Sequence, residues 1–111
     1  MNFHLMIAGA ASVLVLAGAA SADEASTSAS TLRALGAQVQ LRIGTAAIPN
    51  DLTDPTLSQI TADQFSVLTP GNEMKWQVVE PQQGNFNWTG ADNLVNFAEE
   101  HHERVRGHTL V

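Results

Sequence analysis

The chain has 111 residues and a formal charge of −6, from 11 acidic side chains against 5 basic ones, with 4 histidines and no cysteine. That acidic balance argues against nucleic acid or an anionic membrane surface as partner and suits a neutral ligand better. Without cysteine there is no disulfide framework, thiolate metal site or cysteine nucleophile, and the length fits one small domain, not a complete large catalyst.

In chain order, the apolar run "LMIAGAASVLVLAGAA" leads into Ala20, Ser21 and Ala22, a small-x-small pattern that reads as a signal peptide over residues 1–22 cut before Asp23. Only the terminal amine and His4 supply positive charge ahead of it. The run carries Gly and Ser and falls short of the roughly 20 strongly apolar residues of a membrane span, so the expectation is a secreted, extracellular product with no membrane attachment after cleavage, an uncleaved anchor being the alternative. Removing residues 1–22 takes away no Asp, Glu, Lys or Arg. "DEASTSAS", residues 23–30, is a small, polar, flexible lead-in.

Order is expected from Thr31. "TLRALGAQVQ" places Leu32, Leu35 and Val39 at helical spacing despite Gly36, and Leu41 to Ala47 reads as a short strand closed by a loop, "IPND". Asp54 is the N-cap of a second helix with Pro55 at its first position and Leu57, Thr61 and Phe65 on one face. "FSVLTP" is a second strand ended by Pro70 and Gly71, which puts Asn72 to Trp76 just past its C-terminal end. "EPQQGNFNW" is loop chemistry. Thr89 then reads as the cap of a third helix with Asp92 as capping-box partner and Ala91, Leu94, Val95 and Ala98 as its apolar stripe, and "RVRGHTLV" reads as a third strand.

Strict alternation of strand and helix is the pattern of right-handed βαβ units around a parallel sheet, hence an α/β fold. Three such strands with polar groups at their C-terminal ends match the first part of a longer α/β protein, either an open doubly wound sheet or a (β/α)8 barrel. A last apolar strand without a neighbour leaves an unpaired edge, so aggregation or partial unfolding is expected of such a piece alone.

The chemistry-bearing residues each have two readings. Asn72, Glu73, Lys75 and Trp76 sit where parallel folds place their sites, and amide plus ammonium suit a hydroxyl-rich ligand; alternatively they form a solvated loop with Trp76 tucked into the core. Glu73 and Glu80 invite an acid/base pairing, but a spacing of seven residues is unspecific and structural loop carboxylates are the plainer account. "EEHHE", Glu99 to Glu103, has the residue types of a metal site without its spacing and reads as a solvated helix end. His108, between Gly107 and Thr109 in an apolar strand, is either a satisfied core histidine or a ligand-facing one. No phosphate-cradling Gly-rich loop or nucleophile elbow occurs, and Asn87-Trp88-Thr89 is an N-glycosylation sequon, meaningful in a eukaryotic secretory route.

Four blocks in order, "TPGNEMKW", "EPQQGNFNW", "GADNLVNFA" and "RGHTLV", resemble the N-terminal part of a secreted glycoside hydrolase family 10 endo-1,4-β-xylanase, from about Thr31 to Val111. The resemblance implies a partial (β/α)8 TIM barrel, of which residues 31–111 supply the first three strands and their helices. It implies xylan or a xylo-oligosaccharide as partner, no cofactor, no metal, and a monomer when full length. Asn72 and Lys75 match the family's residues that grip xylose on the glycone side of the cleft, and His108 matches the histidine of its "RGHTLVWH" motif on the same side. The chain departs from the family at Gly71, where a glutamate that accepts hydrogen bonds from sugar hydroxyls is usual, so weaker glycone binding is expected. The family's acid/base and nucleophile glutamates follow its fourth and seventh strands, beyond Val111, so no catalytic residue is assigned and the chain alone is expected to be inactive. Asn72-Glu73 is not the family's Asn-Glu acid/base pair, because Met74, Lys75 and Trp76 follow it. The alternative is a short non-catalytic carbohydrate-binding or interaction protein.

Overall fold

The computed structural model describes residues 30–109. The expected signal peptide, the lead-in up to residue 29 and the last two residues lie outside them. The described elements are α1 (Leu32–Gln38), β1 (Gly44–Ala47), α2 (Pro49–Thr53), α3 (Pro55–Gln64), β2 (Val67–Pro70), α4 (Trp76–Val79), α5 (Thr89–Glu100) and β3 (Arg104–Val105). The strands form one parallel sheet in the order β1-β2-β3. Gly44 pairs with Val67 and Ala47 with Pro70, and Val67 and Leu68 pair with Arg104 and Val105.

Alternation along these strands sorts the two faces. Ala47, Leu68 and Pro70 are buried on the helix-covered face, whereas Gly44, Ala46 and Arg104 on the other face are exposed. Leu94 and Ala98 of α5 close over the covered face to build a core with Ala47 and Leu68, against which Leu52, Phe97 and Val105 pack. Three of the four stripe residues expected on the third helix are buried, Ala91, Leu94 and Ala98, whereas Val95 is half-buried and lines a cavity.

Helix α3 starts as its punctuation predicts. Asp54 Oδ1 accepts from the N–H groups of Thr56 and Leu57 at 2.8 and 3.1 Å, and Pro55 occupies the first turn. Its buried face is shifted, however: Thr61 and Ala62 are buried while Leu57 is 45% exposed, and Phe65 closes the helix as its C-cap.

Several expectations change for physical reasons. The first strand begins at Gly44, not Leu41, because Gln40 at φ +58° turns the chain and Leu41 donates its N–H to the Gly36 carbonyl at 2.8 Å. That reversal explains Gly36, where a Cβ would lie 2.6 Å from the Leu41 carbonyl oxygen. The stripe on α1 is not buried, since Leu32, Leu35 and Val39 are 43%, 47% and 72% exposed. Polar anchors hold α1 instead: Arg33 donates from Nη1 to the Ala62 carbonyl at 3.1 Å and from Nη2 to the His101 carbonyl at 2.8 Å.

"IPND" is not a loop; it opens the short helix α2, because Pro49 presets the first turn and Asp51 Oδ2 accepts the Ile48 N–H at 3.0 Å. Thr89 is not a cap. Trp88 holds the N-cap position without a side-chain bond, and Asn87 Oδ1 takes the Thr89 N–H at 3.2 Å, which leaves Asp92 no capping-box role. The third strand stops at Val105, so His108 is not a core histidine but exposed.

Candidate functional site

At the C-terminal end of β2 the chain turns sharply, with Gly71 donating its N–H to Ala47 of β1 at 2.9 Å and Lys75 donating its own to the Asn72 carbonyl at 2.9 Å. The turn brings the two side chains together: Lys75 Nζ donates to Asn72 Oδ1 at 2.8 Å. Asn72 and Lys75 therefore form one polar unit at the tip of the central strand, with the Asn72 amide oxygen occupied and its nitrogen making no hydrogen bond among the described residues. Lys75 then serves as the N-cap residue of α4, its carbonyl accepting from Val78 and Val79.

The carboxylates nearby hold the loops. Glu73 Oε2 accepts the Asn72 N–H at 3.0 Å, and its stem lies against Gly90 of α5, where a Cβ would meet Glu73 Cγ at 2.8 Å. Glu80 Oε1 accepts the Gly84 N–H at 2.7 Å and ties down the turn whose Gly84 has φ +77°. Both are committed to backbone groups, which agrees with a structural role better than with an acid/base pair.

Beside this unit a cavity of about 610 Å³ opens between α4, the following loop, the first turns of α5 and the segment after β3. Its lining is largely apolar, with Met74, Trp76, Val79, Phe86, Trp88, Ala91 and Val95 joined by Glu80, Asp92, Gly107, His108 and Thr109. His108 thus lies on this wall together with Met74 and Trp76, whereas Asn72 and Lys75 are not part of the lining. The structure joins Asn72 to Lys75 directly and puts His108 on the adjoining cavity.

Trp76 is 66% exposed and not a core residue, and Phe86, in the stretch read as loop, stacks on Trp88 with ring centroids 5.6 Å apart and planes 8° apart. Sequence reasoning missed this aromatic wall. The available signal was the crowding of Trp76, Phe86 and Trp88 around a loop with no apolar period of its own.

The run Glu99 to Glu103 also departs from its expected solvated state. His101 packs on Phe97 with centroids 4.4 Å apart, His102 adopts φ +56°, and Glu103 is buried at 8% exposure with neither carboxyl oxygen hydrogen-bonded among the described residues. Burial raises the Glu103 pKa to about 7, against the opposing charge of Arg33. Among the described residues no group of three or more His, Asp and Glu side chains is placed to hold a metal ion.

Residues 31–111 match glycosyl hydrolase family 10. The chain belongs to that family. Among its relatives, endo-1,4-beta-xylanase 2 of Claviceps purpurea is 43% identical over 68 residues, covering 61% of this chain and 21% of that protein. Endo-1,4-beta-xylanase A of Phanerodontia chrysosporium is 40% identical over 90 residues, covering 78% of this chain and 22% of that protein. The solved xylanase 10B from Thermotoga petrophila RKU-1, in complex with xylobiose, superposes with a TM-score of 0.67 at 38% identity over 73% of this chain and 26% of that one. The chain spans about a fifth of the length of the curated relatives it matches.

Within family 10, then, the three parallel strands and their helices are part of a (β/α)8 barrel. The turn after β2 and the segment after β3 lie at the C-terminal ends of neighbouring strands, the end at which barrels of this kind carry their sites. Gly71 of this family 10 chain sits tightly, since a Cβ there would meet Ile48 Cγ2 at 2.9 Å.

Proposed function

We propose that this chain is part of a secreted, retaining endo-1,4-β-xylanase and supplies a share of the wall that holds the glycone side of xylan. The observation that carries the reading is the Lys75–Asn72 pair at the tip of β2, next to the strand that leads to His108. Xylan is hydroxyl-rich and largely neutral. Lys75 has three donors, one of them used on Asn72, so the pair can offer its remaining ammonium and amide protons to sugar hydroxyls in a fixed orientation. His108, exposed on the adjoining cavity wall, adds an imidazole that can accept or donate. The xylobiose held by the Thermotoga petrophila protein supports a xylo-oligosaccharide as ligand.

Retaining hydrolysis needs two carboxyl groups about 5 to 5.5 Å apart, one protonating the leaving oxygen and one attacking the anomeric carbon. Glu73 and Glu80 are bound to loop N–H groups, so the reading assigns both catalytic roles to glutamates outside this chain. Secretion follows from the leader reading of residues 1–22, and a complete enzyme of this build would act as a monomer.

The test is xylotriose affinity in a complete enzyme carrying this segment. Asn72→Ala and Lys75→Ala should each weaken binding about tenfold, the worth of one charge-assisted hydrogen bond. The double variant should lose less than the product of the two, because each single change already disables the shared unit. Undiminished affinity in both single variants would sink the assignment. Clear turnover of xylan by the 111-residue chain itself would overturn the division of labour.

Gly71→Glu tests the departure from the family. Restoring a carboxylate should lower KM for xylo-oligosaccharides several-fold, provided Ile48 yields. Because the new Cβ crowds Ile48 Cγ2, the change is best made both alone and with Ile48→Ala. An unchanged KM in both backgrounds counts against a sugar contact at this position.

A further inference from the structure

Asn87-Trp88-Thr89 is the only Asn-X-Ser/Thr triplet in the sequence. It lies in the exposed stretch from the Gln82–Asn85 turn to the start of α5, and all three residues are exposed. Phe86 and Trp88 line the cavity and Asn87, between them, does not. The Asn87 side chain is held rather than buried. Its Oδ1 accepts the Thr89 N–H at 3.2 Å, its backbone N–H donates to the Val79 carbonyl at 2.8 Å, and its Nδ2 makes no hydrogen bond among the described residues.

Such a site tolerates a large substituent. A sugar on Nδ2 displaces no core side chain and breaks no hydrogen bond, since the bond that orients the amide runs through the oxygen. The neighbouring rings add a favourable surface. Phe86 and Trp88 are 54% and 51% exposed and stacked, so they present apolar faces next to the attachment point, where the C–H face of a first sugar can cover part of them.

We propose that Asn87 carries an N-linked glycan; this rests on the reading that the chain is exported. The co-reactant is an oligosaccharide linked through a diphosphate to a lipid. Nδ2 of Asn87 forms a bond to the sugar's anomeric carbon, the bond from that carbon to the diphosphate oxygen breaks, the lipid diphosphate leaves with the electron pair, and Nδ2 gives up one proton. The glycan is attached as the chain is exported and before it folds, so the folded surroundings of Asn87 decide whether it is retained without damage.

The full chain is expressed in yeast twice, once with its own residues 1–22 and once with these replaced by a host secretion leader. The tryptic peptide from Trp76 to Arg104 is then weighed in both lysate and medium. In the host-leader arm the expected result is a peptide carrying hexosamine and hexose mass, which peptide N-glycosidase removes while converting Asn87 to aspartate. Asn87→Gln and Thr89→Ala should abolish that mass, and Thr89→Ser should keep it. Unmodified Asn87 in the lumenal or secreted chain of the host-leader arm overturns the proposal. A glycan in that arm with none in the native-leader arm supports the site and instead refutes export by residues 1–22.

Discussion

Leu94→Ala is expected to cost about 3 kcal/mol of folding free energy, within the range for emptying a fully buried leucine site. Leu94 has no exposed surface and meets Ala47 and Leu68 of the sheet and Ala98 on its own helix. Three of its neighbours are thus a small residue or a strand side chain held by the ladder, so the site has little freedom to collapse around the lost atoms. Leu35→Ala is the matched control, because Leu35 is 47% exposed on α1, and its loss should stay below about 1 kcal/mol. Urea denaturation of a complete enzyme carrying this segment, with each variant compared against its parent, measures both. Equal losses would mean that α1 buries its stripe and that α5 does not organise the core.

Glu103 should make the protein less stable as the pH rises. Its carboxyl is buried at the start of β3, and desolvation raises its pKa from 4.5 to about 7 although Arg33 pulls the other way. The folded chain therefore binds this proton more tightly than the unfolded chain does. Between about pH 4.5 and 7 the native state holds more protons, so stability falls with rising pH across that window and levels off above it. The loss is about 2 kcal/mol once partial solvent screening is allowed for. Glu103→Gln should accordingly raise stability at pH 8 by about that amount and change little at pH 4. If glutamine destabilised the protein at pH 8, the carboxylate would have to be ionised and paired there, most simply with Arg33.

The Arg33 contacts explain why this acid is tolerated. The guanidinium donates to the last turns of two helices, at Ala62 and His101, and so is fixed beside Glu103 without a hydrogen bond to it. A charge held by carbonyls moderates the desolvation of its neighbour but does not cancel it.

Much of the architecture was legible from neighbouring residues alone. Asp54 followed by Pro55 starts a helix because the carboxylate reaches two N–H groups within three residues and the ring presets the first turn, both local events. Ala91, Leu94 and Ala98 mark a buried face because helical periodicity places them in one stripe. The parallel order of the strands followed from alternation, and the family from four blocks that recur in order. At the site, the position of Asn72 and Lys75 just past the second strand was readable because Pro70 and Gly71 end that strand, whereas their hydrogen bond to each other came only from the structure.

Other features depended on distant partners. Leu32, Leu35 and Val39 have the same periodicity as the α5 stripe yet stay exposed, because periodicity defines a face without supplying anything to cover it. The third strand is only as long as its pairing with β2, so His108 passed from an expected strand interior to an exposed wall. Trp76, Phe86 and Trp88 form a cavity only because β2 and β3 bring the segment after β3 alongside α4. The amino-acid order by itself determined what adjacent residues do to one another: caps, turns, helical stripes and the strand–helix alternation. Tertiary structure alone decided which faces are covered and that Glu103 is buried, because these outcomes depend on contacts between distant segments that no local spacing encodes.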